Sequence, residues 1–395
     1  MFSRIPVFRA KACADQPLLR SKMPELDALR GFACLFVLLY HGLAHDYIPE
    51  HMNLAERSLV WLLRYGWTGV NLFFVLSGFL IAGILLDTRA RPGYYRRFYV
   101  RRALRVLPAY YGILLLVALV WKFGLSDRPY SWFFFGMSSV YLANVTPLFG
   151  VPIQFPVLWS LAVEEHYYLI WPTIVRKLKT GALALSAGMI CLFALIFRFV
   201  AFRMGANVFG YYTWLVCDGL AMGSLLAIVA RRYRSDRRTL WKIAACAGAY
   251  ATICFVIEKT PAIYFTGAAL QVSCINAFYS SALLVFLLLG SKFGIRSRLL
   301  EFVGEISYGV YLIHMLVFEV FDAMARRHFP LLAPGHLNFS LSCVRFAIVA
   351  AATMIFAFIS RWYFEEPFLR LKDRLASDPE PIGEEPQPEL AEVAA

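Results

Sequence analysis

Two ionisable residues, Arg30 and His41, stand at opposite ends of one apolar run, LRGFACLFVLLYH. On an α-helix eleven residues rise about 16.5 Å and complete about three turns, so the two side chains share a face. If Arg30 lies at a membrane surface, His41 lies near the middle of a hydrocarbon core about 30 Å thick. An imidazole at that depth is costly and is often functional. We therefore predict that His41 carries chemistry; a core histidine bonded to another helix is the alternative.

A second group of ionisable residues, Glu164, Glu165 and His166, interrupts the apolar run 155–175. Adjacent residues on a helix point about 100° apart, so only one of the two carboxylates can face a given partner. A carboxylate that orients an imidazole and stabilises its protonated form is the usual arrangement for a general base. We predict that Glu164 contacts His41, with a buried ion pair between helices as the alternative.

A stripe of arginines precedes the third long apolar run. Arg97, Arg101 and Arg105 recur every four residues, and Arg102 stands beside them. Each guanidinium group can bind a phosphate oxyanion through two hydrogen bonds, so the stripe suits a ligand with several phosphates. Positive-inside anchoring and binding of anionic lipid give the same pattern, and the residues alone leave these alternatives open.

Other polar residues within apolar runs are secondary candidates. Ser77 stands beside Gly78, where small residues favour close helix approach over a nucleophilic role, and the chain has no GxSxG motif. Tyr168 lies in the same run as Glu164, whereas Asp218 and His314 either line a cavity or satisfy a helix contact.

The spacing of His41 and His45 would suit a metal, but no second ligand pair accompanies them, so we predict no metal site.

The elements that must position these residues are membrane-spanning helices. Hydrophobic residues make up 60% of the chain and charged residues 16%, and the mean hydropathy is +0.60. Such values, with apolar runs of about twenty residues, predict an all-α polytopic transmembrane bundle. The ten candidate spans are 28–46, 68–87, 104–122, 155–175, 181–200, 210–230, 241–258, 268–289, 302–320 and 341–364.

The basic residues predict the topology, because cytoplasmic loops collect Lys and Arg. All basic clusters fall on one side only if the apolar stretch 131–149 is interfacial or re-entrant, which gives ten crossings and cytoplasmic termini. The net charge of +13 reflects these short loops and does not indicate nucleic acid. The predicted domains are a cytoplasmic segment 1–24, a membrane domain 25–375 and an acidic, Pro-rich tail 376–395 that is too poor in apolar groups to fold.

Several motifs in order resemble the acyltransferase family 3 integral membrane proteins, over residues 25 to about 372. The motifs are LDALRGFACLFVLLYH, FFVLSGFLI, RRALRVLPAYY and WSLAVEEHYYLIWP. The resemblance implies that Arg30, His41 and Glu164 are site residues, and His166 stands where many relatives have Gln. It also implies a multi-pass protein of the bacterial inner (plasma) membrane, in contact with lipid. Some relatives carry a fused SGNH domain, which we do not expect here.

What the resemblance implies about activity is acyl transfer, often of acetyl, from acyl-CoA to a hydroxyl of a saccharide or glycolipid. Acyl-CoA would be a donor substrate bound by Arg97, Arg101, Arg102 and Arg105, with no tightly bound cofactor. We expect His41, held by Glu164, to remove the acceptor proton or to carry the acyl group briefly. A proton-coupled transporter that uses His41, Glu164 and Asp218 as a relay is the alternative from another class. The sequence does not identify the acceptor, a separate transfer partner or the oligomeric state.

Overall fold

The computed structural model describes residues 19–20, 23–45, 52–126, 131–205, 211–259, 264–293, 297–334 and 338–375. Every regular element in these ranges is a helix, which confirms the predicted all-α class. Most of the predicted segment 1–24 and all of the predicted tail 376–395 lie outside the described residues. The helices are α1 Pro24–Leu39, α2 Leu54–Leu63, α3 Gly69–Thr88, α4 Tyr94–Lys122, α5 Trp132–Ser139, α6 Val157–Lys177, α7 Thr180–Arg203, α8 Thr213–Val216, α9 Asp218–Arg232, α10 Arg237–Lys259, α11 Tyr264–Phe293, α12 Arg298–His328, α13 Phe339–Ile359 and α14 Glu366–Leu375.

Two of these helices continue as π-helices, a wider form that is frequent at functional sites. The first, Tyr40–Ala44, extends α1 and contains His41; the second, Ser360–Glu365, joins α13 to α14. Shorter 3₁₀ helices occupy Arg64–Thr68, Ala143–Phe149 and Pro330–Leu332.

Each of the ten predicted spans coincides with a helix of the bundle. Among the described residues, 8 helical segments are long and apolar enough to cross a membrane. The two predicted spans outside that set are α6, which contains Glu164 and Glu165, and α9, which has 15 residues. The chain is therefore a multi-pass integral membrane protein, and the number of crossings stays a prediction.

Contacts between neighbouring helices show the direction in which each runs. Tyr94 at the start of α4 bonds to Pro172 late in α6, whereas Arg102 further along α4 bonds to Glu165 earlier in α6, so the two helices are antiparallel. Between them, α5 has 8 residues and rises about 12 Å, less than half of a hydrocarbon core. This geometry agrees with the prediction that 131–149 does not cross; cytoplasmic termini stay a prediction.

Small residues allow the helices around the site to approach closely. A Cβ atom on Gly78 of α3 would overlap the carbonyl oxygen of Leu220 in α9, and a Cβ atom on Gly31 of α1 would overlap that of Leu300 in α12. Without a hydrophobic drive between helices in lipid, such backbone proximity is a main source of association. The expectation that the Ser77–Gly78 pair serves helix packing is confirmed for Gly78.

A buried ion pair joins three helices away from these contacts. Arg198 of α7 is 1% exposed and donates to the carboxylate of Asp218 in α9 at 2.8 Å. The same guanidinium contacts Ser273 of α11 and two backbone carbonyl oxygens. The Asp218 carboxylate therefore joins helices to one another. Its side-chain partners among the described residues are Arg198 and Ser273, and they do not include His41 or Glu164.

Candidate active site

A cavity of about 920 Å³ lies inside the bundle, between α1, α3, α4, α6 and α12. This volume falls in the range of small-molecule sites. Along α3 its lining extends from Val70 to Thr88, which corresponds to about 27 Å of helix. The helix directions place Thr88 and the start of α4 at one end, the mouth, and Val70 with Ser160 and Tyr311 at the other, the deep end.

The wall of the cavity is strongly cationic. All four arginines of the predicted stripe line this wall, and Arg30 of α1 joins them. The members are Arg30, Arg97, Arg101, Arg102 and Arg105. The structure thus brings together residues that the sequence placed in two separate motifs.

Arg102 differs from the other arginines because protein groups already hold its guanidinium. It donates to both carboxylate oxygens of Glu165, with the shortest bond at 2.6 Å, and lies 3.4 Å from the centre of the Tyr168 ring. Its Nη2 atom is also 3.8 Å from Glu164. In this structure Glu165 thus occupies the bidentate face of the Arg102 guanidinium, and the role of Arg102 as a phosphate ligand stays a prediction.

Arg105 and Arg30 present the opposite situation. Arg105 is solvent-accessible in the cavity wall and, among the described residues, has no hydrogen-bond or ion-pair partner. Arg30 forms one ion pair, with its Nη1 atom 3.7 Å from Asp27, which is longer than the 2.6 Å contact between Arg102 and Glu165. These two guanidinium groups retain their capacity to bind an anion.

Glu164 lies in the cavity wall, but its contacts are not those predicted. It accepts hydrogen bonds from the Ser77 hydroxyl and the Tyr168 hydroxyl, each at 3.3 Å. The predicted contact between Glu164 and His41 is therefore wrong. The reason is helix adjacency: Glu164 faces α3, whereas the side-chain partners of His41 come from α12 and its own helix.

His41 lies in the π-helix after α1, beside a second histidine. Its Nδ1 atom is 3.0 Å from the carbonyl oxygen of Val37 and 3.3 Å from Nε2 of His314 in α12. His45 stacks edge-on at 5.7 Å between ring centroids and accepts or donates a bond with Tyr40. The described residues contain no cluster of three metal-binding side chains.

The deep end of the cavity approaches this histidine pair without reaching it. The Tyr311 hydroxyl lies 2.6 Å from the Ser160 hydroxyl, and both residues line the cavity. On its other side the Tyr311 ring is 5.7 Å from the His314 ring. One tyrosine side chain thus separates the cavity from the histidines.

Ser160, Tyr311 and the pairing of His314 with His41 are not among the features predicted from the sequence. Their spacing contained a usable pattern, because Ser160 precedes Glu164 by one helical turn and Tyr311 precedes His314 similarly. His166 stands where many relatives have Gln. Its Nδ1 atom lies 2.7 Å from the Thr213 hydroxyl, and the residue is not part of the cavity lining.

These features define a multi-pass membrane protein with an internal, arginine-lined site and a buried histidine pair. The family model described as an acyltransferase domain matches residues 23–362, and the chain belongs to this family, acyltransferase family 3. The resemblance inferred from the motifs is thereby confirmed.

Several proteins resemble the chain along most of its length. It is 31% identical to YrhL of Bacillus subtilis, a candidate peptidoglycan O-acetyltransferase, over 74% of this chain and 48% of that protein. It is 27% identical to the peptidoglycan O-acetyltransferase OatA of Listeria monocytogenes, over 75% of this chain and 49% of that protein. The candidate acetyltransferase ORF330 of Acidianus two-tailed virus is 26% identical, over 80% of this chain and 89% of that protein. The chain spans about half the length of the two bacterial relatives. No solved structure matches the chain significantly.

Proposed function

We propose that the chain is a membrane-bound O-acyltransferase that moves an acyl group, such as acetyl, from acyl-CoA to a saccharide hydroxyl. The observation that carries the proposal is the internal cavity with arginines in its wall and a histidine pair just beyond its deep end. The family supports acyl transfer, and the name of the Listeria relative supports a peptidoglycan-like acceptor.

The donor would bind with its phosphates at the arginines of the cavity wall. Arg105 and Arg30 face the cavity without a hydrogen-bonded carboxylate among the described residues, and Arg97 and Arg101 extend the cationic wall toward the start of α4. Coenzyme A carries three phosphate groups, and guanidinium groups bind such groups bidentately. Its pantetheine arm, comparable with four or five extended residues, reaches roughly 15 Å. Val106, next to Arg105, accepts a hydrogen bond from Tyr308, which precedes Tyr311 by about one helical turn, so an arm of this length can extend from Arg105 to the deep end.

The acyl carbonyl would then lie at the deep end, near Ser160 and Tyr311. His41 takes the proton of the acceptor hydroxyl while the hydroxyl oxygen attacks the thioester carbonyl. The carbon–sulfur bond breaks, coenzyme A leaves as a thiolate that gains a proton, and the acceptor becomes an ester. Contact between donor and His41 requires Tyr311 to leave Ser160, and each buried hydroxyl left without a partner costs about 1 to 3 kcal/mol unless a bound substrate replaces the lost hydrogen bond.

The acidic residues have a supporting role in this proposal. Glu165 and Tyr168 hold Arg102 in the cavity wall, and Glu164 fixes the Ser77 and Tyr168 hydroxyls. They shape the passage between the mouth and the deep end. The alternative that His41 carries the acyl group briefly uses the same geometry.

The test is transfer of label from radiolabelled acetyl-CoA to peptidoglycan fragments or other saccharides by the protein in nanodiscs. The wild-type chain should label the saccharide, and His41→Ala should lower the rate by about 10²- to 10⁴-fold, the usual contribution of a general base. His166→Ala serves as the control, because His166 lies outside the cavity lining. Unchanged transfer in His41→Ala would refute the assignment. Proton-driven uptake of a solute without labelled product would support the transporter alternative.

A further inference from the structure

His314 is a buried histidine with no role in the proposed reaction so far. It is 1% exposed, lies in the middle of α12 and is not part of the cavity lining. Its Nδ1 atom is 2.7 Å from the carbonyl oxygen of Tyr311 and 3.2 Å from that of Val310. Its Nε2 atom faces Nδ1 of His41 at 3.3 Å. Both ring nitrogens therefore have defined partners.

These partners determine where the protons lie. A carbonyl oxygen only accepts hydrogen bonds, so Nδ1 of His314 must carry its proton. In the neutral ring Nε2 is then an acceptor and faces His41. Nδ1 of His41 lies between that acceptor and the carbonyl oxygen of Val37 at 3.0 Å, so it must donate. The lone pair of His41 is consequently on Nε2.

The other protonation states conflict with the same contacts. A proton on Nε2 of His314 would face the protonated Nδ1 of His41, or would force that Nδ1 to turn a lone pair toward the Val37 carbonyl oxygen. Two imidazolium rings would also repel, because their centroids are 5.1 Å apart within the bundle. Two neutral rings, each with its proton on Nδ1, satisfy every contact.

A separate ion pair contacts the backbone of the π-helix that contains His41. Arg345 of α13 binds Asp322 of α12 at 2.6 Å and lies 3.4 Å from the carbonyl oxygen of Gly42 in the π-helix. Arg345 thus links the π-helix, one residue after His41, to α12 through a contact that does not involve His314.

We infer that His314 is a positioning residue that holds His41 in the Nδ1–H tautomer and leaves Nε2 as the basic nitrogen. The inference rests on the proposed function of His41 as the base. His314 thus takes the orienting role that the sequence suggested for Glu164. When His41 gains a proton on Nε2, its Nδ1–H bond to His314 becomes charge-assisted and stronger. The proton stops there, because Nδ1 of His314 already donates to backbone carbonyls.

The direct test is ¹⁵N NMR of histidine-labelled protein in nanodiscs, with His41→Ala used to assign the His41 signals among 7 histidines. We expect a protonated Nδ1 and an unprotonated Nε2 on His41. The opposite tautomer in the wild-type chain would overturn the inference whatever the activity. If His41→Ala keeps its activity while the NMR result holds, only the proposed function fails.

Two conservative variants of His314 separate positioning from packing. In His314→Gln the amide oxygen reaches about the place of Nε2, so it can still accept from His41 and should keep kcat within about threefold. In His314→Asn the shorter amide can still donate to the backbone carbonyls but does not reach His41, and kcat should fall about 10- to 100-fold. The KM for acyl-CoA should stay within about twofold in both variants, since His314 is outside the cavity lining.

His166→Gln is the matched control, because it places the same substitution at a histidine whose partner is Thr213. It should leave both kcat and the His41 tautomer unchanged. Equal kcat values in His314→Asn and His314→Gln, with both variants folded and binding coenzyme A, would overturn the positioning role.

Discussion

Replacing Arg105 by alanine tests whether an arginine of the cavity binds the donor or holds the protein together. Arg105 has no hydrogen-bond or ion-pair partner among the described residues, so the substitution leaves no protein carboxylate unpaired. It also removes one positive charge from the neighbourhood of Arg30, whose repulsion of Arg105 is partly offset by the Asp27 carboxylate. Stability should therefore be unchanged or slightly higher, and the loss should appear in donor binding.

The size of that loss follows from the contact that would disappear. A charge-assisted hydrogen bond contributes about 1.5 to 3 kcal/mol, so the Kd for coenzyme A should rise about 10- to 150-fold. Arg102→Ala should behave differently, since it leaves Glu165 without its cation. Removing one partner of a buried pair costs about 3 to 5 kcal/mol, and the lower end applies because the two side chains remain 15% and 22% exposed.

The assay is calorimetric binding of coenzyme A and of 3′-dephospho-coenzyme A to the protein in nanodiscs, with thermal unfolding of each variant measured in parallel. If Arg105 binds the 3′-phosphate, Arg105→Ala should lose less affinity for the dephospho form. Lys122→Ala is a control, because Lys122 is an exposed cation at the far end of the same helix. The double variant Arg102→Ala with Glu165→Ala should recover part of the stability lost in Arg102→Ala.

Two results would refute this division of roles. One is an unchanged Kd in Arg105→Ala. The other is a large loss of coenzyme A affinity in Arg102→Ala without a fall in unfolding temperature, because it would return Arg102 to the donor site.

Two further predictions concern the bundle that holds the site. Gly78→Ala should lower the unfolding temperature, because the added Cβ atom overlaps the Leu220 carbonyl oxygen. Gly188→Ala is the control, because a Cβ atom at Gly188 meets open space. Equal unfolding temperatures in the two variants would contradict the close packing at Gly78. Arg198→Met should destabilise the chain by about 3 to 5 kcal/mol because it strands the buried Asp218 carboxylate, and adding Asp218→Asn should restore part of that loss in a thermal unfolding assay. No recovery in the double variant would mean that the pair is not the reason for the loss.

The sequence predicted the helices well and their neighbours poorly. Runs of apolar residues report how long a segment can stay in lipid, and each predicted run coincides with a helix. The basic residues predict that 131–149 does not cross the membrane, and the short helix α5 and the 3₁₀ helix in this segment agree with that prediction. Hydropathy contains no information on which helix lies beside which. The sequence therefore predicts a partner for His41 in α6, whereas its partner in the structure is His314 of α12.

The same limit applies within the arginine stripe. Four-residue spacing places Arg97, Arg101 and Arg105 on one helical face, and all three line the cavity. The spacing does not reveal that a carboxylate from α6 reaches Arg102. The π-helix at His41 was also beyond sequence reasoning, because its stability depends on tertiary contacts such as the one between Arg345 and the Gly42 carbonyl oxygen.

Comparison among the arginines gives the strongest physical reason to place an anionic ligand in the cavity. Arg198, Arg345 and Arg102 each bind a carboxylate at 2.8 Å or less, as expected where removing a charge from water is costly. Arg105 faces the cavity beside Arg30 and has no such partner among the described residues. Two like charges held close together repel each other, and phosphate groups bound between them would offset that repulsion. Arg105 therefore keeps guanidinium donors available to a ligand in the cavity, and the binding measurements on Arg105→Ala address that position directly.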